Sequence, residues 1–247
     1  MAIKTTLNYS PNFDLLKRTQ KQIKFIIFHY TGMKKESEAI NKLTKTQSRV
    51  SSHYFVKNNG EIITMVPDLY IAWHAGRSSW GKYKSLNKYS IGIEITNPGH
   101  NFRYKRFSKL QTKSLIKLSK FLIKKYKIDP RNILGHSDIA PERKKDPGEK
   151  FPWKYLFQNN VGLWHTINEK KLIKNRKMKT TKADKEYFFI NLFKIGYAKK
   201  LPKSLNKEEY LKLITKAFQR RYRQDLIDGK IDKELLLISQ NLMKKFY

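Results

Sequence analysis

The sequence of 247 residues contains no cysteine, which excludes disulfides, thiolate metal sites and cysteine nucleophiles. It also lacks an uninterrupted apolar run of about eighteen residues, the length that a membrane-spanning helix needs. Its N-terminus has no continuous apolar stretch of the kind found in signal peptides. We therefore expect no membrane span and a cytoplasmic location. Any metal ion must be held by histidines and carboxylates.

Acidic residues are scarce, since 20 Asp and Glu stand against 53 Lys and Arg and give a formal charge of +33. The excess is spread along the chain, and lysines outnumber arginines 42 to 11. Because arginine is the better bidentate reader of phosphates and bases, this bias argues against a nucleic-acid-binding protein, and no nucleic-acid partner is expected. Two interpretations of the charge stay open: a solubilising surface, and attraction to an anionic polymer.

The first hundred residues contain several strand patterns. Residues 23–30 (IKFIIFHY) form a β-branched and aromatic run that is typical of a buried strand. Residues 53–56 and 62–66 flank an Asn-Asn-Gly turn signal, which predicts a hairpin. Isoleucines alternate with other residues over 91–96, as in a half-buried strand. This alternation places Glu94 on the face opposite the isoleucines.

Two helices are predicted in the same half of the chain, the first over residues 36–46. The second begins where Ser108 and Gln111 can form a capping box. It has an apolar stripe and, opposite to it, a lysine stripe that predicts a solvated face. The lysine stripe comprises Lys113, Lys117, Lys120, Lys124 and Lys127, and the apolar stripe comprises Leu115, Leu118, Leu122 and Tyr126. A short strand-like segment, residues 132–135, then leads to His136.

Strands mixed with helices up to about residue 160 predict an α/β (α+β) fold, in which helices flank a mixed central β-sheet. We assign residues 1–160 to this domain. Residues 161–184 are rich in lysine with little apolar periodicity, and we interpret them as a basic linker. Residues 185–247 show helical spacing of apolar residues and predict a small C-terminal helical bundle. The predicted helices of the bundle cover residues 186–196, 207–222 and 232–246.

Three residues with metal-binding side chains stand at the ends of predicted elements. His29 closes a buried strand, His136 follows Gly135, and Asp146 lies ten residues further along the chain. Two histidines and one carboxylate are a recognised ligand set for a catalytic zinc ion, which keeps its fourth position for water. On spacing alone, histidines in a core or on a surface are the more common case, so both interpretations stay open at this point.

Six motifs in one order make the pattern specific. They are residues 27–32 (IFHYTG), 50–54 (VSSHY), 72–76 (AWHAG), 91–94 (IGIE), 135–141 (GHSDIAP) and 144–148 (KKDPG). Together they resemble the zinc-dependent N-acetylmuramoyl-L-alanine amidases of the type 2 family, whose fold is shared by peptidoglycan recognition proteins. The resemblance covers about residues 20–157. It implies hydrolysis of the amide between an N-acetylmuramoyl group, in intact or 1,6-anhydro form, and L-alanine of the peptidoglycan stem peptide.

The resemblance also implies roles for particular residues. His29, His136 and Asp146 match the family's zinc ligands. Glu94 matches the general base that activates the attacking water, and Lys144 matches the lysine that stabilises the oxyanion. These roles suit the chemistry, because hydrolysis at zinc requires a neighbouring base and charge stabilisation of the oxyanion. Without the resemblance, Glu94 would be a strand carboxylate facing solvent and Lys144 one of many surface lysines.

Further residues match the family's site more loosely. His53 and His74 match site-lining histidines, for which we weigh substrate contact against structural packing. Trp73 and Trp80 offer flat surfaces to a sugar or peptide, or belong to the core. Some relatives carry a tyrosine where this chain has Ser52, which places more weight on Glu94 as the base.

Two histidines, His100 and His165, match no motif and are predicted to lie on the surface. Residues 217–223 and 228–232 resemble the helical peptidoglycan-binding module that often accompanies such amidases. Phe218 in the first of these segments also suits a plain core position.

The expected partners are muropeptides or murein, in wall degradation or recycling, and the oligomeric state is not determined by the sequence. The alternative to an enzyme is a non-catalytic peptidoglycan-binding protein on the same fold. Such proteins usually lack a zinc ligand, whereas all three ligands are present here.

Overall fold

The computed structural model describes residues 3–247. The strands are β1 (Thr6–Leu7), β2 (Phe13–Asp14), β3 (Phe25–Tyr30), β4 (Tyr54–Val56), β5 (Ile62–Thr64), β6 (Ile71–Ala72), β7 (Ser79–Trp80), β8 (Tyr83–Lys84), β9 (Ser90–Ile95) and β10 (Ile133–Gly135). The helices are α1 (Glu36–Thr44), α2 (Lys109–Tyr126), α3 (His136–Ile139), α4 (Trp153–Gln158), α5 (Glu169–Arg176), α6 (Lys182–Ile195), α7 (Lys207–Tyr222) and α8 (Lys233–Phe246). Within this described part, no helix combines the length and apolar character needed to cross a bilayer.

Six strands form the central sheet in the order β1-β5-β4-β9-β3-β10. The hairpin of β4 and β5 is antiparallel, as the Asn-Asn-Gly turn predicts, and the other neighbours in the sheet are parallel. Parallel strands buried on both faces require continuous apolar runs, and β3 supplies one, since its first five residues are buried. The predicted α/β fold with a mixed central sheet is confirmed.

Helix α2 packs on one side of the sheet. Its predicted capping box is present, because the Gln111 N–H donates to the Ser108 hydroxyl (3.1 Å) and the Ser108 N–H donates to the Gln111 side chain (3.0 Å). The apolar stripe of α2 is buried in the same hydrophobic cluster as the isoleucines of β9. Each lysine of the opposite stripe is exposed. This stripe is therefore the solvent face of α2.

Helix α1 packs on the other side of the sheet. Ala39 and Leu43 of α1 form a second buried cluster that includes Phe55 of β4. The strand register pairs Phe55 with Glu94 and Glu94 with His29. Since paired residues of neighbouring strands share a face, these three side chains lie together on the α1 side. The alternation in the sequence thus places Glu94 on the face opposite the isoleucines, as predicted.

The segment 161–184 is predicted as a basic linker, but the structure contains a packed helix there. Helix α5 lies within it, and Leu172 is buried in the main hydrophobic cluster. Arg176 forms ion pairs with Asp225 and Glu234, each with an N–O distance of 2.5 Å. One buried leucine in two helical turns leaves almost no periodic signal, so the lysine content dominated the sequence pattern. This segment is packed against the C-terminal helices.

The C-terminal helices α6, α7 and α8 lie within a few residues of their predicted positions. Phe218 is fully buried, and Gly229 adopts a positive φ of 77° while its N–H donates to Gln219 Oε1 at 2.8 Å. Both residues thus stabilise the helical part of the chain. Peptidoglycan binding by residues 185–247 stays a prediction. The domain boundaries also stay predictions. His165 is buried, so its predicted surface position is wrong.

One hydrophobic cluster runs from the sheet into the C-terminal helices. Trp80 is buried and packs edge-on against Tyr197, with 4.9 Å between ring centroids. The close approach requires Gly196, because a Cβ there would lie 2.4 Å from the Trp80 ring. Trp80 is therefore a core residue that joins the two parts of the chain.

Candidate metal and catalytic site

The three predicted metal ligands meet at one edge of the sheet. His29 lies near the C-terminal end of β3, and His136 begins α3 directly after β10, the parallel neighbour of β3. The carboxyl ends of parallel strands meet at the same edge, so residues 107 positions apart become neighbours. Asp146 lies on the loop that follows, and its backbone carbonyl accepts a hydrogen bond from the Ser137 N–H at 2.8 Å.

The ligand atoms of these residues form a buried triangle. His29 Nδ1 and His136 Nδ1 are 2.9 Å apart, and they lie 3.0 and 3.1 Å from Asp146 Oδ2. Each Nδ1 carries at most one proton, so hydrogen bonds satisfy at most two of the three contacts. A cation between the atoms attracts all three, and tetrahedral zinc ligands lie about 3.3 Å from one another. The donor set and its spacing therefore fit zinc, within the part of the chain that the structure describes.

Hydrogen bonds on the far side of each imidazole set its tautomer. His136 Nε2 lies 3.1 Å from the Ala75 carbonyl oxygen, which only accepts, and 3.3 Å from Arg143 Nη2, which only donates; the shorter contact favours a proton on Nε2. His29 Nε2 lies 3.0 Å from His74 Nδ1, and His74 Nε2 lies 3.1 Å from the hydroxyl of Ser90, whose own proton goes to a backbone carbonyl. With this direction of donation, both ligand Nδ1 atoms keep a free lone pair.

Burial keeps the imidazole of His29 in the form that binds a metal. It lowers the pKa of His29 to about 4, with a further contribution from the charge of His136. It also lowers the pKa of His74 well below the ordinary value. Burial raises the pKa of Asp146, but the two histidines outweigh it, and the net pKa lies well below its ordinary range. A neutral imidazole at His29 and an ionised carboxylate at Asp146 are the protonation states required of zinc ligands.

Gly92 makes room for the ring of His74. A Cβ at Gly92 would lie 2.3 Å from His74 Cγ, so a larger residue would displace the ring. The Gly92 N–H donates to His53 Nδ1 at 3.0 Å, and His53 Nε2 lies 3.1 Å from the Tyr70 carbonyl oxygen. His53 is fully buried and does not line the cavity over the ligands. Its position favours structural packing over substrate contact.

Glu94 and Lys144 line a cavity of about 470 Å³ that also contains the three ligands. The Oε2 atom of Glu94 is buried and has no hydrogen-bond partner within residues 3–247. Burial and the negative charge of Asp146 raise the pKa of Glu94 to about 8, an effect that Lys144 opposes. A divalent cation nearby would lower this pKa again. The carboxyl group thus shares a cavity with the ligands, and no donor stabilises a negative charge on its buried oxygen.

Other predicted substrate contacts are divided between the cavity and the interior. Trp73 and His74 line the cavity, and the Trp73 indole N–H donates to Asp14 Oδ1 at 2.7 Å. Ser52 is buried, and its hydroxyl donates to the Tyr54 carbonyl at 3.0 Å. A role of Trp73 and His74 in binding substrate stays a prediction.

The structure also reveals cavity residues that the motifs did not indicate. His100 is half-buried, lines the cavity and lies 2.9 Å from the Tyr30 hydroxyl and 3.0 Å from Glu149 Oε2, a position not predicted from the sequence. Lys42 and Arg143 line the same cavity. These residues belong to separate segments, and no spacing in the sequence indicates that they meet.

Comparison with known proteins agrees with the fold and the site. The profile of the N-acetylmuramoyl-L-alanine amidase family matches residues 19–149, which is slightly more than half of the chain. The chain therefore belongs to the type 2 N-acetylmuramoyl-L-alanine amidases and is an enzyme of that class. The predicted family and the predicted enzymatic character are confirmed.

Individual relatives cover more of the chain. N-acetylmuramoyl-L-alanine amidase AmiD of Escherichia coli K12 is 35% identical over 237 residues, which cover 91% of this chain and 84% of AmiD. A structure of AmiD with anhydro-N-acetylmuramic acid-L-Ala-D-γ-Glu-L-Lys has a TM-score of 0.78, 33% identity, and coverage of 91% and 90%. AmpDh3 of Pseudomonas aeruginosa, in complex with an anhydromuramic pentapeptide, has a TM-score of 0.79 at 29% identity and covers 96% of this chain and 97% of its own.

Proposed function

We propose that this enzyme hydrolyses the amide bond between an N-acetylmuramoyl group, including its 1,6-anhydro form, and L-alanine of the stem peptide, with zinc as its cofactor. One observation carries the proposal. The buried triangle of His29, His136 and Asp146 lies in the same cavity as a carboxyl oxygen of Glu94 that has no partner and as the ammonium group of Lys144. Two similar structures hold anhydromuramyl peptides, which supports this class of substrate.

The residues around the triangle have distinct tasks in the proposed reaction. When bound, zinc polarises the scissile carbonyl and lowers the pKa of an attacking water. Glu94 takes a proton from this water at its carboxylate and then delivers a proton to the leaving amine of L-alanine. Lys144 places its ammonium group near the carbonyl oxygen, on which negative charge develops. His74 and Ala75 hold the ligand imidazoles in the tautomer that leaves Nδ1 free.

The rest of the cavity suits an acidic peptide. Lys42, Arg143 and Lys145 line it together with Lys144, whereas Glu94 and Asp146 are its acidic lining residues. Stem peptides carry carboxylates, and a cationic lining concentrates such ligands near the site. The basic surface thus has a task in this proposal beyond solubility. Turnover at low muropeptide concentration is expected to fall as ionic strength rises.

The non-catalytic alternative is not favoured. A binding protein that had lost catalysis would need neither a complete ligand set nor a buried carboxyl group beside it. Both are present here, and the high-coverage relatives are amidases by name.

Product analysis tests the reaction and the substrate together. The zinc-loaded protein is incubated with anhydro-muropeptides and, separately, with intact murein, and released peptides are identified by mass spectrometry. We expect free stem peptide with L-alanine at its N-terminus. A protein with one bound zinc that releases no such peptide from either substrate would refute the proposal. The cytoplasmic location stays a prediction, which cell fractionation with a compartment marker would check.

A further inference from the structure

Asp138 is a buried carboxylate two residues after the ligand His136, and it is held by the C-terminal helices. Its side chain is 1% exposed. The Tyr197 hydroxyl donates to Oδ1 at 2.7 Å, and Arg221 Nη1 donates to Oδ2 at 2.8 Å. The N–H of Gly135 also donates to Oδ2 at 2.8 Å. Residues from the central sheet and from the C-terminal part of the chain therefore converge on this one carboxylate.

Asp138 lies on helix α3, which positions two of the three metal ligands. His136 is the first residue of α3, and the Ser137 N–H donates to the backbone carbonyl of Asp146 at 2.8 Å. A helix of four residues is not stable by itself, because nucleation fixes several residues for few hydrogen bonds. The position of α3, and with it of both ligands, must come from tertiary contacts.

The groups that hold Asp138 are themselves rigidly packed. Arg221 is 2% exposed, its Nη2 donates to the Ile133 carbonyl at 2.9 Å, and its guanidinium lies 4.5 Å from the ring of Trp153. One guanidinium thus ties α3 to β10, the strand that leads into it. Tyr197 is 2% exposed and packs against Trp80. Rotation of either side chain would collide with these neighbours.

We propose that Tyr197 and Arg221 are positioning residues of the active site, which set the geometry of the metal ligands His136 and Asp146 through Asp138. The C-terminal helices are then part of the catalytic scaffold, whatever they bind at their outer surface. The proposal rests on zinc binding by the ligand triangle.

The test measures metal binding, because a purely structural contact would leave it unchanged once the protein is folded. Zinc affinity of Asp138→Asn, Arg221→Lys and Tyr197→Phe is measured by competition with a chromophoric chelator. The absorption spectrum of the cobalt-substituted protein reports the ligand geometry. We expect the zinc dissociation constant to rise about tenfold in Asp138→Asn and Arg221→Lys, and about threefold in Tyr197→Phe, with an altered cobalt spectrum.

Tyr210→Phe is the matched control. The Tyr210 hydroxyl donates to the Ala198 carbonyl at 2.8 Å within the same helical region, and this hydrogen bond does not involve Asp138. It should lose a similar amount of thermal stability to Tyr197→Phe while zinc affinity and the cobalt spectrum stay as in the wild type. If Arg221→Lys does not fold, Tyr197→Phe still tests the positioning role.

Wild-type zinc affinity and an unchanged cobalt spectrum in Tyr197→Phe, at the stability of the control, would overturn the positioning role while zinc binding itself stands. A wild-type chain that binds no zinc would overturn both the proposed function and this inference.

Discussion

Two buried carboxyl groups on opposite faces of the sheet differ in every contact they make. Asp68 accepts hydrogen bonds from the hydroxyls of Tyr54 (2.7 Å) and Tyr126 (2.5 Å) and from the ammonium of Lys125 (2.9 Å). Glu94 has an oxygen with no partner in the described chain. Burial raises the pKa of both groups, but the partners of Asp68 reverse the shift, whereas Glu94 reaches about 8.

The difference separates a group that stabilises the fold from one that is available for chemistry. A buried carboxylate with saturated oxygens has nothing left to bind, and removing it leaves two buried tyrosine hydroxyls without their acceptor. A buried carboxyl with a free oxygen lowers stability and gains a proton-accepting position in return. Each of the following experiments acts on one side of this comparison.

Removal of metal is expected to have the largest effect on activity, and it concerns the site that contains Glu94. Dialysis against a chelator should reduce amidase activity to background, because carbonyl polarisation is lost entirely. Zinc at about a thousand times its dissociation constant should raise the free energy of unfolding by about 4 kcal/mol. Calorimetry and product assays on the same samples measure both quantities. Full activity after complete removal of metal would contradict the site assignment.

Glu94→Gln should lower kcat by about 10²- to 10⁴-fold, since an amide cannot take a proton from the attacking water. Zinc content should stay at the wild-type value because Glu94 is not a ligand. The matched control is Glu61→Gln on the surface, where the carboxylate pairs with Lys57 at 2.8 Å outside the cavity, and its kcat should be unchanged. Equal rates in Glu94→Gln and wild type would show that another group is the base.

Asp68→Asn should have the opposite profile, with lower stability and little change in activity of the folded fraction. The amide group of asparagine would face donors from Tyr54, Tyr126 and Lys125 that require acceptors. We expect a loss of about 3 kcal/mol in the free energy of unfolding, measured by urea titration. Glu94→Gln in the same titration should show no loss. If the two variants were equally destabilised, the contrast between the two carboxyl groups would be wrong.

The pH dependence of stability should have opposite signs for the two groups in metal-free protein. The folded-state pKa of Asp68 is lowered, so its contribution is present above the unfolded pKa of about 4 and is lost as pH falls below it. The folded-state pKa of Glu94 is raised to about 8, so ionisation opposes folding increasingly as pH rises from about 4 towards 8.

Unfolding titrations at several pH values therefore test the contrast between Glu94 and Asp68. The expected changes in the free energy of unfolding are the smallest of those described. The stability advantage of Glu94→Gln over wild type should grow between pH values of about 5 and 8, and zinc should reduce it. The deficit of Asp68→Asn should shrink in acid. A pH-independent difference for Glu94→Gln would mean that its carboxyl is not desolvated in solution.

Local patterns predicted much of the framework. The capping box at Ser108, the turn between β4 and β5 and the apolar run of β3 each depend on neighbouring residues, so a single sequence contains the information. The ligand set was predicted from motifs in a fixed order, and the structure brings His29, His136 and Asp146 within hydrogen-bond distance of one another.

Features that depend on distant contacts were missed or wrong. Leu172 alone gave no helical period, so α5 was assigned to a linker. His165 was predicted on the surface and the place of His100 in the cavity was not predicted, because both depend on which segments fold over these side chains. In the interior, His53 Nδ1 accepts a hydrogen bond from the Gly92 N–H. No spacing in the sequence indicates this contact.

Residue types at short range predicted strands β3, β4, β5, β9 and β10, and motifs in a fixed order along the chain indicated the family and the candidate zinc ligands. Tertiary contacts set the burial of Glu94 Oε2 without a donor and the bonds from Tyr197 and Arg221 that hold helix α3. The reason is that hydrogen-bond saturation and burial are properties of the assembled neighbours. A carboxylate in the sequence is the same group whether three donors surround it or none.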